Sequence, residues 1–266
     1  MQDRIRLLFL GDVIGRPGRK SLKNCLPHLK KKYKPSFIAA NGENSAGGIG
    51  ITQKVGEELL TSVDVLTSGN HIWDKKEALN YLDTEPRLIR PANYPSPCPG
   101  RGSCIVKDPM DRPIAFLNLQ GRVFMEPIDC PFRKADQEID ALRKKTPVII
   151  VDFHAEATSE KQALGWYLDG RASAVCGTHT HVPTADERIL PQGTAYITDI
   201  GMVGGYHSVI GIKKNQAVDR FLTSRPQRFG PSKDGFVLNA VYMEIDYKTG
   251  KALFIERVKM VGDERN

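Results

Sequence analysis

Four of the chain's six histidines, His71, His154, His179 and His181, sit just after short apolar runs, as do Asp12, Glu43, Asn44 and Asn70. "RLLFL" ends at Gly11-Asp12, "SFIAA" at Asn41-Gly42-Glu43-Asn44, and "VDVLTS" at Gly69-Asn70-His71. "PVIIVDF" ends at His154, and "ASAVC" at Gly177-Thr178-His179-Thr180-His181. A single Asp or His after a strand is an ordinary turn residue. Five such ends converging in space would be a ligand set: two carboxylates, two carboxamides and three imidazoles, without a thiolate. Imidazole suits zinc, iron, manganese and cobalt, and the added hard oxygens favour iron or manganese. Seven candidates, Asp12, Glu43, Asn44, Asn70, His154, His179 and His181, are too many for one tetrahedral ion. They suit two ions about 3.5–4 Å apart that share a carboxylate, turn water into hydroxide and neutralise phosphoryl oxygens.

The elements that must bring these residues together alternate. Helical spacing of apolar positions occurs over 20–32, 53–62, 75–82 and 134–145, with Pro17-Gly18 at the first helix entrance and Thr52 as a cap for the second. Strands alternating with helices predict an α/β domain with largely parallel pairing, and its ligands collect beyond the carboxyl ends of the strands. The unbroken apolar run of "PVIIV" fits a strand buried on both faces. Near the C-terminus, "GFVLNAVYMEIDYKTGKALFIERVKMV" reads as a hairpin about Lys248-Thr249-Gly250, and "SCIVKD" with "RPIAFLNLQG" as another strand pair. No internal repeat or long linker interrupts residues 1–266, which are expected to form one domain.

Composition narrows the class. A chain of 266 residues with 40% hydrophobic and 26% charged residues is long enough to bury a substantial core. No apolar run reaches the length of a membrane span, and Asp12 follows the first one at once, unlike a signal peptide; a cytoplasmic protein without membrane contact is expected. Five cysteines without a C-x-x-C pair argue against a disulfide framework or a thiolate zinc cluster. A net charge of +7 favours anionic partners. "HLKKKYK" is read as a solvated helix end, and RNA stays open as a partner, as does assembly with further copies of the chain. Neither a P-loop nor G-x-S-x-G is present, and His181 is followed by Val-Pro-Thr-Ala-Asp rather than the H-x-H-x-D-H of metallo-β-lactamases.

The order G-D, G-E-N, G-N-H, a lone strand-end His and G-T-H-T-H resembles the calcineurin-like metallophosphoesterases. "FLGDVIGRPGR", "NGENSAGGIG", "GNHIWDKKE", "RPANYP", "NLQGR", "DFHAEATSEK" and "GTHTHVPTADERILPQGTAYITDIGM" are most similar to the bacterial YmdB-type phosphodiesterases, a resemblance running from Ile5 to about Val258. It implies an α/β fold: a four-layer α-β-β-α sandwich of two mixed β-sheets flanked by helices, with a dinuclear metal site. Asp12, Glu43, Asn44 and His181 would hold one metal, and Glu43, Asn70, His154 and His179 the other, with Glu43 bridging. Two positions depart from the wider superfamily: Ile14 replaces the first histidine of D-x-H, and Glu43 replaces the bridging Asp. Both departures are shared with the resembling subgroup, and that resemblance implies that Asn44 would supply the missing ligand.

The expected activity is hydrolysis of cyclic nucleotides (2′,3′ or 3′,5′) or small nucleotide diesters by a metal-bridging hydroxide, with His71 assisting the leaving group. Alternatives are a phosphomonoesterase or nuclease on the same site, or a regulatory RNA-binding protein. Asp74 is read either as orienting His71 or as capping the next helix. Arg16, Arg122 and Arg171 are candidate phosphate-binding cations. Trp166 and Tyr167 are read as a base-stacking wall or as core, and His207 as an exposed loop histidine rather than a site residue.

Overall fold

Alternating side chains of the first strand sort into two different cores. The computed structural model describes residues 3–263, beginning with β1 (Arg4–Val13). There Ile5, Leu7 and Phe9 enter one core while Leu8 and Leu10 enter another, all fully buried. The chain continues through α1 (Gly15–Tyr33), β2 (Phe37–Asn41), α2 (Gln53–Leu60), β3 (Val65–Thr67), a 3-10 turn (Asn70–Trp73) and α3 (Lys76–Thr84). Then come β4 (Ser103–Lys107), β5 (Pro113–Gln120), α4 (Pro131–Arg143), β6 (Ile149–His154), α5 (Thr158–Tyr167) and β7 (Ala174–Thr178). The remainder is β8 (Arg188–Ile189), β9 (Ala195–Ile197), β10 (Met202–Gly204), α6 (Lys214–Thr223), β11 (Phe236–Asp246) and β12 (Ala252–Gly262).

The described residues form two six-stranded mixed sheets, ordered β12-β11-β10-β1-β2-β3 and β4-β5-β6-β7-β9-β8. Phe9, Phe37 and Val65 from the first sheet meet Phe116, Ile150 and Cys176 from the second in a core between the sheets. The opposite face of the first sheet packs on α1, α2 and α3, and that of the second on α4 and α5, so the layers run α-β-β-α. The C-terminal hairpin pairs β11 with β12 as expected, turning through Gly250 at φ +71°. No helix among the described residues is long and apolar enough to cross a membrane. All five cysteines are free thiols.

Helices α5 and α6 lie outside the helical segments expected from spacing. The buried face of α5 consists of Lys161, Leu164 and Gly165, which is no apolar stripe. Along α6 only Ala217 is buried, while Val218, Phe221 and Leu222 stay exposed. Neither helix writes the period by which a core-facing helix is recognised.

The inter-sheet core ends in polar residues on the same strand faces. Period two carries Phe37 and Ala39 on to Asn41, Val65 to Thr67, Ile150 to Asp152 and His154, and Cys176 to Thr178. In β1 that phase is broken by a bulge: Leu10 pairs with Ala40, but Asp12 pairs with Asn41, so Gly11 is the extra residue. The bulge turns Asp12 to the inter-sheet face beside Asn41. Only glycine fits there, because a Cβ on Gly11 would lie 1.9 Å from the carbonyl oxygen of Gly201. Gly11→Ala is therefore expected to cost about 1–3 kcal/mol through displacement of β10. Urea unfolding measures this, and unchanged stability would contradict the close approach.

Candidate metal centre

The seven candidate ligands meet at this polar end of the inter-sheet core, in two groups that share Glu43. In the first group, the Asn44 carboxamide nitrogen lies 3.2 Å from Glu43 Oε1 and 3.3 Å from His181 Nε2. Asp12 Oδ1 is 3.8 Å from the same His181 nitrogen. In the second, His154 Nε2 lies 3.1 Å from Glu43 Oε1, 3.0 Å from Asn70 Oδ1 and 3.0 Å from His179 Nδ1. Ligand atoms of Glu43, His154 and His179 all fall within 4.8 Å of one another. Gly69 makes room for this packing, since a Cβ there would lie 2.1 Å from the His154 ring.

Each of the three imidazoles is fixed from behind. His154 Nδ1 is 2.9 Å from Thr178 Oγ1, whose hydroxyl donates to Asp152 Oδ1 at 2.7 Å, so the His154 nitrogen is the donor. Thr67 and Asn41 donate to the other Asp152 oxygen. His179 Nε2 is 3.1 Å from Glu156, and His181 Nδ1 donates to the carbonyl of Ile210 at 2.9 Å. The remaining nitrogen of every ring points inward. Strand β7 ends at Thr178, and His179 and His181 take φ values of +100° and +65°, so they lie on a turning loop rather than an alternating strand. Asp199 holds that loop, accepting from the Thr180 amide and hydroxyl, and is itself paired with Lys161 Nζ at 2.7 Å.

Electrostatics set the character of the site. Asp12, Glu43, Asp152 and Asp199 are at most 1% exposed. Lysine meets Asp199, whereas imidazoles, hydroxyls and amides meet the others. Asp12 Oδ1 is buried without any hydrogen-bond partner among the described residues, and burial pushes the Asp12 carboxyl well above the ordinary range. Burial also lifts Asp152 to about 6. Burial opposes ionisation of Glu43, but the charge and hydrogen bond of His154 outweigh it and hold the carboxyl at about 2. Burial likewise disfavours charge on His154, yet Glu43, Asp12 and Asp152 together push it up to about 9. Burial and that neighbouring charge push His179 down to about 3. In the protein alone one imidazolium thus sits where a bound cation would supply positive charge. An orphaned carboxylate oxygen and converging nitrogens fit divalent or trivalent metal ions.

A cavity of about 820 Å³ opens over the cluster, with Glu43, Asn44, His71, His179 and His181 in its floor. His71 stands beside the ligand groups: its backbone N–H donates to Glu43 Oε2 at 3.0 Å, and its Nδ1 lies 2.8 Å from Asp74. Asp74 therefore orients His71, and the cap position of α3 belongs to Lys75. Several other expected residues lie elsewhere. Arg16 and Arg122 are exposed outside the cavity, and Arg171 pairs with Asp136 at 2.7 Å. Trp166 and Tyr167 are half exposed on α5 and line neither cavity nor core. His207 is exposed, away from the cavity, 3.9 Å from Asp263. The cations that do line the cavity are Lys75 and Arg228.

Asp152, Thr178, Lys161, Glu156 and the 227–231 segment do not stand out in the sequence. One signal was available: Asp152 interrupts an apolar strand two residues before His154, on the same face. Replacing Lys161 leaves a buried carboxylate unpaired. Lys161→Met is expected to cost about 3–5 kcal/mol in chemical unfolding, and a loss below about 1 kcal/mol would mean that the pair is not a structural clamp.

Residues 8–258 match the family described as YmdB-like protein. The chain is 52% identical over 261 residues to a 2′,3′-cyclic-nucleotide 2′-phosphodiesterase of Bacillus subtilis (strain 168), covering 98% of each chain. The crystal structure of a phosphatase from Mycoplasma pneumoniae superposes with a TM-score of 0.92 at 38% identity, over 100% of this chain and 96% of that one. A protein of Thermus thermophilus gives 0.90 at 41% identity, over 97% and 100%. With the matched residues spanning nearly the whole sandwich and every strand end of the cluster, the chain belongs to the YmdB-like family.

Proposed function

We propose that the protein is a metal-dependent phosphodiesterase that opens 2′,3′-cyclic nucleotides. Asp12, Glu43, Asn44 and His181 would hold one cation, and Glu43, Asn70, His154 and His179 the second, with iron or manganese favoured by the mixed oxygen and imidazole donors. The observation that carries this reading is the anchoring of all three imidazoles from behind, which leaves their inner nitrogens aimed at a buried pair of carboxylates. The 2′-phosphodiesterase activity of the Bacillus subtilis relative supports the choice of ester.

When bound, the two cations supply hydroxide near neutral pH and neutralise the non-bridging phosphoryl oxygens. Glu43 spans both groups, with Oε1 facing His154 and Asn44 while the His71 amide fixes Oε2. The water oxygen bonds to phosphorus as the P–O2′ bond breaks. The departing oxygen takes a proton from His71, which Asp74 keeps oriented, and the proton lost by water passes to solvent. The product is a ribose 3′-phosphate.

Removal of metal by a chelator is expected to abolish hydrolysis of 2′,3′-cyclic AMP and of bis-p-nitrophenyl phosphate, and Mn²⁺ or Fe²⁺ to restore it. Equal turnover of p-nitrophenyl phosphate would favour a monoesterase instead. His71→Ala is expected to retain bound metal, measured by elemental analysis, while kcat falls about 10²–10⁴-fold; loss of metal would make His71 a ligand. Glu43→Gln is expected to keep its circular dichroism spectrum and lose activity, and full activity in that variant would sink the shared-carboxylate arrangement. Thr178→Val, which unties His154 from Asp152, is expected to weaken metal retention about 10–100-fold.

A further inference from the structure

The cavity is far larger than a cyclic phosphate, and one of its walls is not built from strand ends. Gln227, Arg228, Phe229, Gly230 and Pro231 form that wall. It is anchored at one end. Gly230 N–H donates to Gln216 Oε1 at 2.9 Å, Lys213 N–H to the Gly230 carbonyl at 3.1 Å, and Ser232 N–H to the Gly211 carbonyl at 2.8 Å. Phe229 projects from this anchor, 44% exposed, and makes no ring contact with another aromatic or a cation among the described residues. Apolar Ile14, Ile49 and Ile212 line the same cavity, whose floor is the ligand cluster, while Lys75 and Arg228 provide positive charge.

We infer that Phe229 is the base platform of the site: the nucleobase of the substrate stacks on its ring while the cyclic phosphate lies over the ligand cluster. A partly exposed phenyl ring lining the cavity, without an aromatic or cationic partner among the described residues, suits a flat base of any identity, because every base offers a π-face. Arg228, adjacent in the same wall, favours an anionic nucleotide over a neutral nucleoside. The ligand class is therefore a mononucleotide taken with little preference among bases. This inference rests on the phosphodiesterase reading above.

The test compares wild type with Phe229→Ala and Phe229→Tyr. KM is measured for 2′,3′-cyclic AMP and for base-free ribose 2′,3′-cyclic phosphate, and calorimetry gives the Kd of adenosine 3′-monophosphate on the metal-loaded protein. Phe229→Ala should raise the ratio of the two KM values about tenfold and weaken 3′-AMP by a similar factor, and Phe229→Tyr should restore both. An unchanged KM ratio with unchanged 3′-AMP binding overturns the platform. If neither ester is hydrolysed by wild type, the diesterase reading fails, and the 3′-AMP arm still decides for or against Phe229.

Discussion

Three buried carboxylates that no lysine or arginine neutralises govern this molecule. Asp12, Glu43 and Asp152 lie buried at the polar end of the inter-sheet core, where a bare charge costs several kcal/mol. The chain spreads that charge over hydroxyl, amide and imidazole donors and leaves one Asp12 oxygen with none. The donors come from both sheets: Thr67 from β3 of the first and Thr178 from β7 of the second converge on Asp152 from β6. The interior field favours positive charge, and in the protein alone His154 carries it.

This constraint explains why two sheets face each other. Each sheet alone presents its strand ends in one row. Stacked, the rows oppose one another, so Glu43 after β2 meets His154 at the end of β6 at 3.1 Å. The apolar contacts between the sheets thereby fix a polar distance at their rim. Lys161 and Asp199 extend the same logic to the histidine loop, where two residues adopt positive φ and a buried ion pair holds the strained turn in place.

Much of this was legible in sequence because the candidate ligands sit at strand ends, and strand ends are written as apolar runs that stop. The layered α/β class and the convergence of Asp12, Glu43, Asn44, Asn70, His154, His179 and His181 followed from that punctuation. Less legible was anything that breaks a period. The Gly11 bulge reverses the face of Asp12, and nothing in "FLGDV" announces a reversal without a partner strand to count against. Helix α5 buries a lysine, so its amphipathic pattern is absent, and with it the sign that Trp166 and Tyr167 would point outward. Arg228 and Phe229 lie far along the chain from every ligand, in a segment without regular structure; only tertiary folding brings them to the cavity.

The floor and the wall of that cavity are built to different standards. Floor residues sit just beyond the strand ends of two sheets and bond to one another and to residues of those strands, so a change in one side chain disturbs several hydrogen bonds at once. Residues 227–229 of the wall are exposed and bound to the body mainly through Gly230 and Ser232, so substitutions there leave the strands and their charges untouched. A substitution in the wall therefore changes the shape of the cavity without disturbing the polar cluster beneath it. In this architecture, the outline of the cavity and the packing of its polar floor are set by separate parts of the chain.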